Sequence, residues 1–316
     1  MMIEDLKNAV GEVWVVSEKE KIAGYLHDES AKGVMLENSE AIVVKPKNTE
    51  EIAEIVKIAH RGEIPIYPRG GGTGLVGGAV PTRKGIILSL ERMKGIEIDE
   101  ENLMCTVKAG ATLAQLEEEV DKHDLFFPPH PGDEGAQVGG LISCNAGGSR
   151  AVKYGVMRNY VKGLEVVLAD GSILKLGGKL LKNNTSYDLM DLFIGSEGTL
   201  GIITKAILKI YPKPGFNVTM IVPFEDRHSA LAIVPIMLQE GIIPLALEYV
   251  ERDLVEPSAE HLSLKWPCKE GRAQLMVIAA EDSEDVVYAQ CEEIAEIARE
   301  GGALEPVIAD RRQEQE

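Results

Sequence analysis

Gly72-Thr-Gly-Leu-Val-Gly77 has the spacing GxGxxG, by which dinucleotide-binding loops bring backbone against a pyrophosphate, and it follows Ile64–Tyr67, a run that reads as a strand. A Rossmann loop, however, opens straight into a helix and meets an acidic residue about 20 positions later. Here Gly78-Ala-Val-Pro81 and an apolar run at 86–90 follow, which leaves no room for such a helix. A Walker A loop is excluded as well, because no GK[ST] follows and Lys84 lies beyond Pro81. What survives is the physical content of the segment. Glycines at 70–78 with Thr73 let successive backbone N–H groups converge on an anion without Cβ obstruction, so the segment reads as a phosphate cradle of another kind. A glycine-rich surface turn is the plainer alternative.

Other residues able to do chemistry have weaker patterns. Arg150, Lys153 and Arg158 could face an anion, or be solvated loop charges. His130, in Pro-Pro-His-Pro, could reach an active site or bond locally to backbone. His228, His261 and Cys268 match no metal-ligand spacing, and Cys105, Cys144, Cys268 and Cys291 form no CxxC pair, so no metal is expected.

The elements that must position the glycine loop read clearly. Ala41–Val44 is a buried strand. Asn48 or Thr49 begins a helix, with Glu51 the reciprocal partner of an Asn48 cap, Ile52, Ile55, Val56 and Ala59 share one face, and Gly62 ends it. With Ile64–Tyr67 this makes a βαβ unit of parallel strands. Gly85–Leu90 and Cys105–Ala109 predict further strands, and Thr112 with Gln115 has capping-box spacing before a helix to about residue 122. Residues 127–149, rich in Gly, Pro and small side chains, are too long for a connecting turn and point to function. Asp170-Gly171 predicts a two-residue hairpin turn between strands 164–168 and 172–176, and the turn Gly195–Gly201 leads into a strand from Ile202 to Ile210. Beyond Pro212 and Pro214 the order becomes strand 217–224, helix 226–240 interrupted at Pro235, strands 244–250 and 272–280, helix 283–300 and strand 304–308. That βαββαβ order predicts a ferredoxin-like sheet and a domain boundary near residue 215.

The chain has 316 residues, which suits two domains, and 45% apolar with 27% charged residues is a globular composition. A net charge of −18 repels nucleic acid and anionic lipid, and the aromatics, Trp266 among them, show no base-stacking pattern. No apolar run of membrane-spanning length and no signal-peptide start is present, so a cytoplasmic location is the expectation.

Four segments occur in order: Pro68-Arg-Gly-Gly-Gly-Thr-Gly-Leu-Val-Gly-Gly78, Val138-Gly-Gly-Leu-Ile-Ser-Cys-Asn-Ala-Gly-Gly148, Lys153-Tyr-Gly155 and Gly195-Ser-Glu-Gly-Thr-Leu-Gly-Ile-Ile203. Together they resemble the FAD-binding domain of the vanillyl-alcohol oxidase (PCMH-type) superfamily, within it the group of the glycolate oxidase FAD subunit and FAD-dependent D-lactate dehydrogenases. The resemblance runs from about residue 38 to 215. It implies an α+β chain: a PCMH-type FAD-binding domain of two α/β subdomains over 1–215, then a ferredoxin-like, incomplete cap or substrate domain over 216–316. It further implies that Arg69, Gly70, Gly71, Gly72, Thr73 and Gly74, with Leu75 and Gly78, wrap the FAD pyrophosphate. Gly139, Gly140, Ser143 and Asn145 line the ribityl chain and flavin, with Pro131 and Gly132 beside them. Gly148 and Gly155 belong to the same lining, and Glu197 and Ile203 complete the walls. Thr73 stands where some members carry the histidine that attaches flavin covalently, so noncovalent FAD is expected.

In the resembled family, substrate oxidation relies on histidines and a glutamate that enter late in the chain. No histidine follows His261 here, and the chain ends at Asp310–Glu316. The expectation is an oxidoreductase that converts a 2-hydroxy acid such as D-lactate or glycolate to the 2-oxo acid, lacking its catalytic part through a short or split chain. Its electrons would pass to an iron–sulfur or other electron-transfer subunit, a quinone or oxygen. The alternative is a non-catalytic FAD-binding subunit or scaffold of a larger oxidoreductase. An ether-lipid synthase or a sugar oxidase is the rival within the superfamily.

Overall fold

Local rules place most elements of the computed structural model, which describes residues 2–31, 39–185 and 187–309; the terminal 310–316 stretch lies outside them. The chain divides into two compact units, Met1–Gly147 with Val156–Tyr211, and Gly148–Gly155 with Pro212–Glu316.

In the first unit, helix α1 (Met2–Val10), strand β1 (Val15–Val16) and helix α2 (Lys19–Ile22) precede strand β2 (Ile42–Val44). Helix α3 (Thr49–Arg61) begins where the Glu51 N–H donates to Asn48 Oδ1 at 2.8 Å. The expected return bond differs: the Glu51 carboxylate accepts from the Lys47 N–H and pairs with its ammonium, one residue before the cap. Ile52, Ile55, Val56 and Ala59 are buried against the sheet, each large side chain contributing roughly 1.5–3 kcal/mol. Strand β3 (Ile66–Arg69) then feeds the glycine loop, and β4 (Ile86–Ser89) inserts between β2 and β3, parallel to both, giving the order β1-β2-β4-β3.

The second sheet of this unit is antiparallel throughout. It contains β5 (Ile96–Asp99), β6 (Met104–Lys108), and, after α4 (Leu113–Asp121), β7 (Leu125–Phe126), α5 (Val138–Ser143) and α6 (Ala151–Tyr154), the strands β8 (Val161–Val167) and β9 (Ile173–Gly177). After α7 (Met190–Phe193), β10 (Ile202–Lys209) completes the order β5-β6-β10-β8-β9. The Thr112–Gln115 capping box forms in both directions. The hairpin at Asp170-Gly171 is one residue longer than its dipeptide suggests. Leu168 N–H donates to Ser172 O and Gly171 N–H to Leu168 O, so three residues cross, and only Gly171 takes positive φ, at 82°. The Asp170 carboxylate accepts from the Ser172 N–H and hydroxyl, which stabilises that longer turn.

A two-residue strand β11 (Tyr211–Pro212) ends this run, and the second unit continues with β12 (Phe216–Phe224), α8 (Arg227–Gln239), β13 (Ala246–Glu251), α9 (Arg252–His261), β14 (Ala273–Glu281), α10 (Glu284–Glu300) and β15 (Val307–Ala309). Its antiparallel sheet has the order β13-β14-β12-β15, so first and third strands are central, as a βαββαβ fold requires. Val218, Met220, Val222 and Phe224 pack with Ile233 and Met237 of α8 and Val287, Cys291 and Ile294 of α10. Helix α8 runs through Pro235, which is exposed, and Leu231, whose carbonyl loses its donor there, is exposed as well. Helix α9, which the sequence pattern does not predict, buries no residue and therefore has no apolar stripe to betray it. No helix among the described residues is long and apolar enough to cross a membrane.

Glu165 of β8 joins the second sheet to α3. Its carboxylate accepts from Thr49 Oγ1 at 2.6 Å and lies 3.1 Å from Thr204 Oγ1, with Lys175 and Lys205 at 3.5 and 3.8 Å. Burial pushes its pKa up, but the two hydroxyls and two ammonium charges outweigh it and hold the carboxyl below its ordinary value. Glu165→Ala removes the carboxylate that both hydroxyls share, leaving Thr204 Oγ1 only the main-chain carbonyl of residue 165 and Thr49 Oγ1 only Thr204 Oγ1, and should cost about 1–3 kcal/mol in urea unfolding. With a depressed folded pKa, the wild-type contribution is complete above the unfolded value of about 4.3 and is lost as pH falls through the folded value. Glu165→Gln should therefore flatten the acid limb of the stability profile, and an unchanged limb would contradict this assignment.

Candidate functional site

The glycine loop is held where it leaves β3. Arg69 is buried, and its guanidinium donates to His27 O at 2.8 Å and Gly24 O at 3.2 Å, so the side chain is spent on anchoring the loop and leaves anion contact to the backbone. A Cβ at Gly72 (φ 76°) would lie 2.6 Å from Arg69 Cζ, and one at Gly71 would lie 2.6 Å from the Gly135 carbonyl oxygen. These positions must be glycine for the loop to pass this close. Gly70 faces Gln137, whose Cβ would be 3.4 Å from a Gly70 Cβ. Thr73 is half-buried, while Leu75 and Val76 form an exposed tip.

The second glycine segment runs along the first. Gln137 bridges Thr112, Val138 N–H donates to Ala111 O, and Gly139 N–H donates to Ala109 O, which fixes the start of α5. A Cβ on Gly139 would be 2.7 Å from Ala109 Cβ, so its role is close packing. A Cβ on Gly140 would meet nothing within 4 Å, nor would one on Gly132 (φ 90°), which sits with Pro131 in the preceding turn.

The third turn docks on both. Gly195 N–H donates to Ile142 O at 3.1 Å and Glu197 N–H to Ser143 O at 2.9 Å. A Cβ at Gly198 would sit 3.2 Å from Pro68 Cγ, and one at Gly78 would be 3.7 Å from Glu197 Oε2. Asn145 (φ 48°) and Glu197 (φ 53°) both hold the left-handed conformation without being glycine, a strain that clusters where backbone geometry serves a site. Asn145 Oδ1 accepts from the Arg158 N–H, and the Arg158 guanidinium donates to Ile194 O and pairs with Asp191, so this cation ties the two turns together.

Residues 68–78, 135–145 and 195–198 thus form one junction. Ile203, one of the residues expected in the lining, stands apart from it. Ile203 is 3% exposed, paired with Val166 inside the sheet. Gly148 and Gly155 belong to the segment grouped with the second unit, where Ser149 O accepts from Leu247 N–H and Lys153 reaches Ala280 O. His130 Nδ1 lies 3.0 Å from the Glu117 carboxylate, a side-chain partner in place of the local backbone bond expected. Among the described residues no group of three His, Cys, Asp or Glu could hold a metal.

Two residues at the junction were missed by motif reading. Gln137 Oε1 and Asp28 Oδ2 are buried without a hydrogen-bond partner among the described residues, beside Gly70 and Gly74 respectively. Such atoms typically cost about 1–3 kcal/mol each and mark places where donors arrive or rearrange. Lone polar side chains outside any motif carry no sequence signal. A Cβ-free backbone and open space over Gly140 fit a flat, diphosphate-bearing cofactor.

The glycines separate by role in a testable way. Gly139→Ala should destabilise the protein by about 1–3 kcal/mol through overpacking. Gly140→Ala should be neutral or stabilising by roughly 0.5–1 kcal/mol, as Ala replaces Gly in a helix. It should nonetheless weaken FAD binding about tenfold or more, because its methyl group enters the space a cofactor needs. Equal FAD affinity of Gly140→Ala and wild type by fluorescence titration would remove Gly140 from the site.

Residues 40–177 match the FAD binding domain family, and residues 213–316 match the C-terminal domain of FAD linked oxidases. D-lactate dehydrogenase of Archaeoglobus fulgidus is 44% identical over 275 residues, covering 87% of this chain and 60% of that protein. Glycolate oxidase subunit GlcD of Bacillus subtilis is 39% identical, covering 86% of this chain and 58% of that one. The chain thus spans about 60% of the length of these curated relatives. Among solved structures, alkyldihydroxyacetonephosphate synthase superposes with a TM-score of 0.80 at 19% identity over 96% of this chain and 60% of that one. p-Cresol methylhydroxylase with substrate bound gives 0.76 at 19% over 98% of this chain and 67% of that one, likenesses of fold alone. With both parts of the chain matched and these relatives at 44% and 39% identity, the protein belongs to the FAD-linked oxidases.

Proposed function

We propose that this chain holds FAD noncovalently for the oxidation of a 2-hydroxy acid, D-lactate or glycolate in class, to the 2-oxo acid. The observation that carries the reading is the union of the 68–78, 135–145 and 195–198 backbones into one Cβ-poor junction. The substrate class draws on relatives named D-lactate dehydrogenase and glycolate oxidase at 44% and 39% identity.

On this reading the backbone of Gly70 to Gly74 takes the diphosphate, Gly140, Ser143 and Asn145 border the flavin end, and Thr73 offers no nucleophilic ring for covalent attachment. Bound FAD would supply the acceptor for the hydride that leaves the substrate α-carbon. The hydroxyl proton requires a base. His123 and His130 are already engaged with Glu100 and Glu117, at 2.6 and 3.0 Å, and neither is assigned that role. Residues 216–316 would serve as the cap on the substrate side, and the electrons would leave to an electron-transfer subunit, a quinone or oxygen.

A second reading, a flavin-holding subunit or scaffold without turnover of its own, draws on His123 and His130 both lying against carboxylates. Anaerobic mixing of the FAD-loaded protein with D-lactate or glycolate distinguishes the two. Loss of the flavin's visible absorbance on mixing is the expected result. A stable yellow spectrum with both acids would reject the first reading and retain the second.

A further inference from the structure

The 70–78 loop is glycine-rich, and such a segment is expensive to order. Fixing each residue costs on the order of 1–2 kcal/mol of backbone entropy, and glycine loses the most. Unless something holds the loop beforehand, that cost is subtracted from cofactor affinity. The turn over residues 24–30 grips it at two points. Arg69, at its start, donates to Gly24 O and His27 O. Gly74, in its middle, accepts from the Glu29 N–H at 3.0 Å.

Asp28 sits at the centre of this grip and is only 6% exposed. Oδ1 accepts from the Ser30 N–H at 3.0 Å, which closes the turn. Oδ2 would be 3.8 Å from a Cβ on Gly74 and is buried with no hydrogen-bond partner among the described residues. Burial pushes the Asp28 pKa up, yet the donors around it, those of Ser30 first, outweigh it and keep the carboxyl below its ordinary value, so the group is charged at neutral pH. The Arg69 guanidinium supplies the opposing charge, and the Tyr25 ring lies 5.8 Å from that guanidinium. A carboxylate in direct contact with a diphosphate would repel it, so Asp28 can assist only from behind the loop, through backbone N–H groups.

We propose that Asp28 is a positioning residue that holds the 70–78 loop in its cofactor-receiving shape, with the spare Oδ2 available to loop N–H groups as the backbone closes on the diphosphate. The proposal rests on the reading of this loop as the FAD cradle. It assigns a role to a side chain outside every glycine motif.

The test compares wild type with Asp28→Asn in the full chain, stripped of flavin and reloaded. If the loop-competent fraction falls, FAD association should slow roughly tenfold while dissociation changes less than about twofold, since apparent affinity scales with the competent population. At saturating FAD the flavin spectrum should equal wild type, because Asp28 does not touch the ring. In the apoprotein, amides of residues 71–78 should exchange about tenfold faster while those of the second unit stay unchanged. Association within twofold of wild type, or unaltered loop exchange, overturns the proposal. If wild type takes up no FAD, the cradle reading fails instead, and the exchange arm still decides whether Asp28 holds the loop. Should Asp28→Asn not fold, Ser30→Ala, which removes a side-chain donor to Asp28 and keeps the charge, should slow association about threefold. An unchanged rate there also overturns it.

Discussion

The site depends on one close approach: the backbone at Gly71 passes the Gly135 carbonyl so tightly that a Cβ would stand 2.6 Å from the oxygen. Two irregular segments, one leaving a parallel strand and one entering a short helix, can come this near only if neither carries a side chain at the crossing. That contact sets the rest. Gly70 is brought to Gln137, α5 is pinned through Gly139 on Ala109, and the carbonyls of Ile142 and Ser143 at its end are placed to accept the Gly195 and Glu197 amides.

Electrostatics follow from the same arrangement. In a chain with a net charge of −18, a diphosphate needs local positive potential that the overall field does not supply. Arg69, the obvious cation, is consumed by the carbonyls of Gly24 and His27. The remaining source at the loop is the array of backbone N–H groups, whose partial charges need no counter-ion and no side-chain ordering. A buried carboxylate behind that array is tolerable because Arg69 opposes it. The polar cluster of Glu165, Thr49 and Thr204 has a different task, fastening the helix below β3 to the second sheet, and so fixing the base from which the loop departs.

The fold was legible wherever an apolar period met a terminal signal. Asn48 and Gly62 bound α3, the Thr112–Gln115 box opens α4, and the second unit's order β, α, β, β, α, β led directly to its sheet. What escaped lacked such a pattern. Helix α9 buries nothing, α5 is six residues containing two glycines, and β5 is a four-residue strand at a sheet edge. For the site, the glycine segments were visible because close approach demands glycine, whichever partner is approached. Sequence could not tell Gly139, which packs on Ala109, from Gly140, which faces open space, since both satisfy one motif. Asp28 and Gln137 were invisible because burial and unspent hydrogen-bonding capacity are properties of three-dimensional surroundings.

The central claim is that this junction recognises the diphosphate of FAD, and comparative titration of the flavin-free protein with FAD and with riboflavin tests it most directly. If the loop amides bind the diphosphate, FAD should bind at least about a hundredfold more tightly, a difference of roughly 2.7 kcal/mol. Equal affinity for the two would place the binding energy on the isoalloxazine alone and contradict the account.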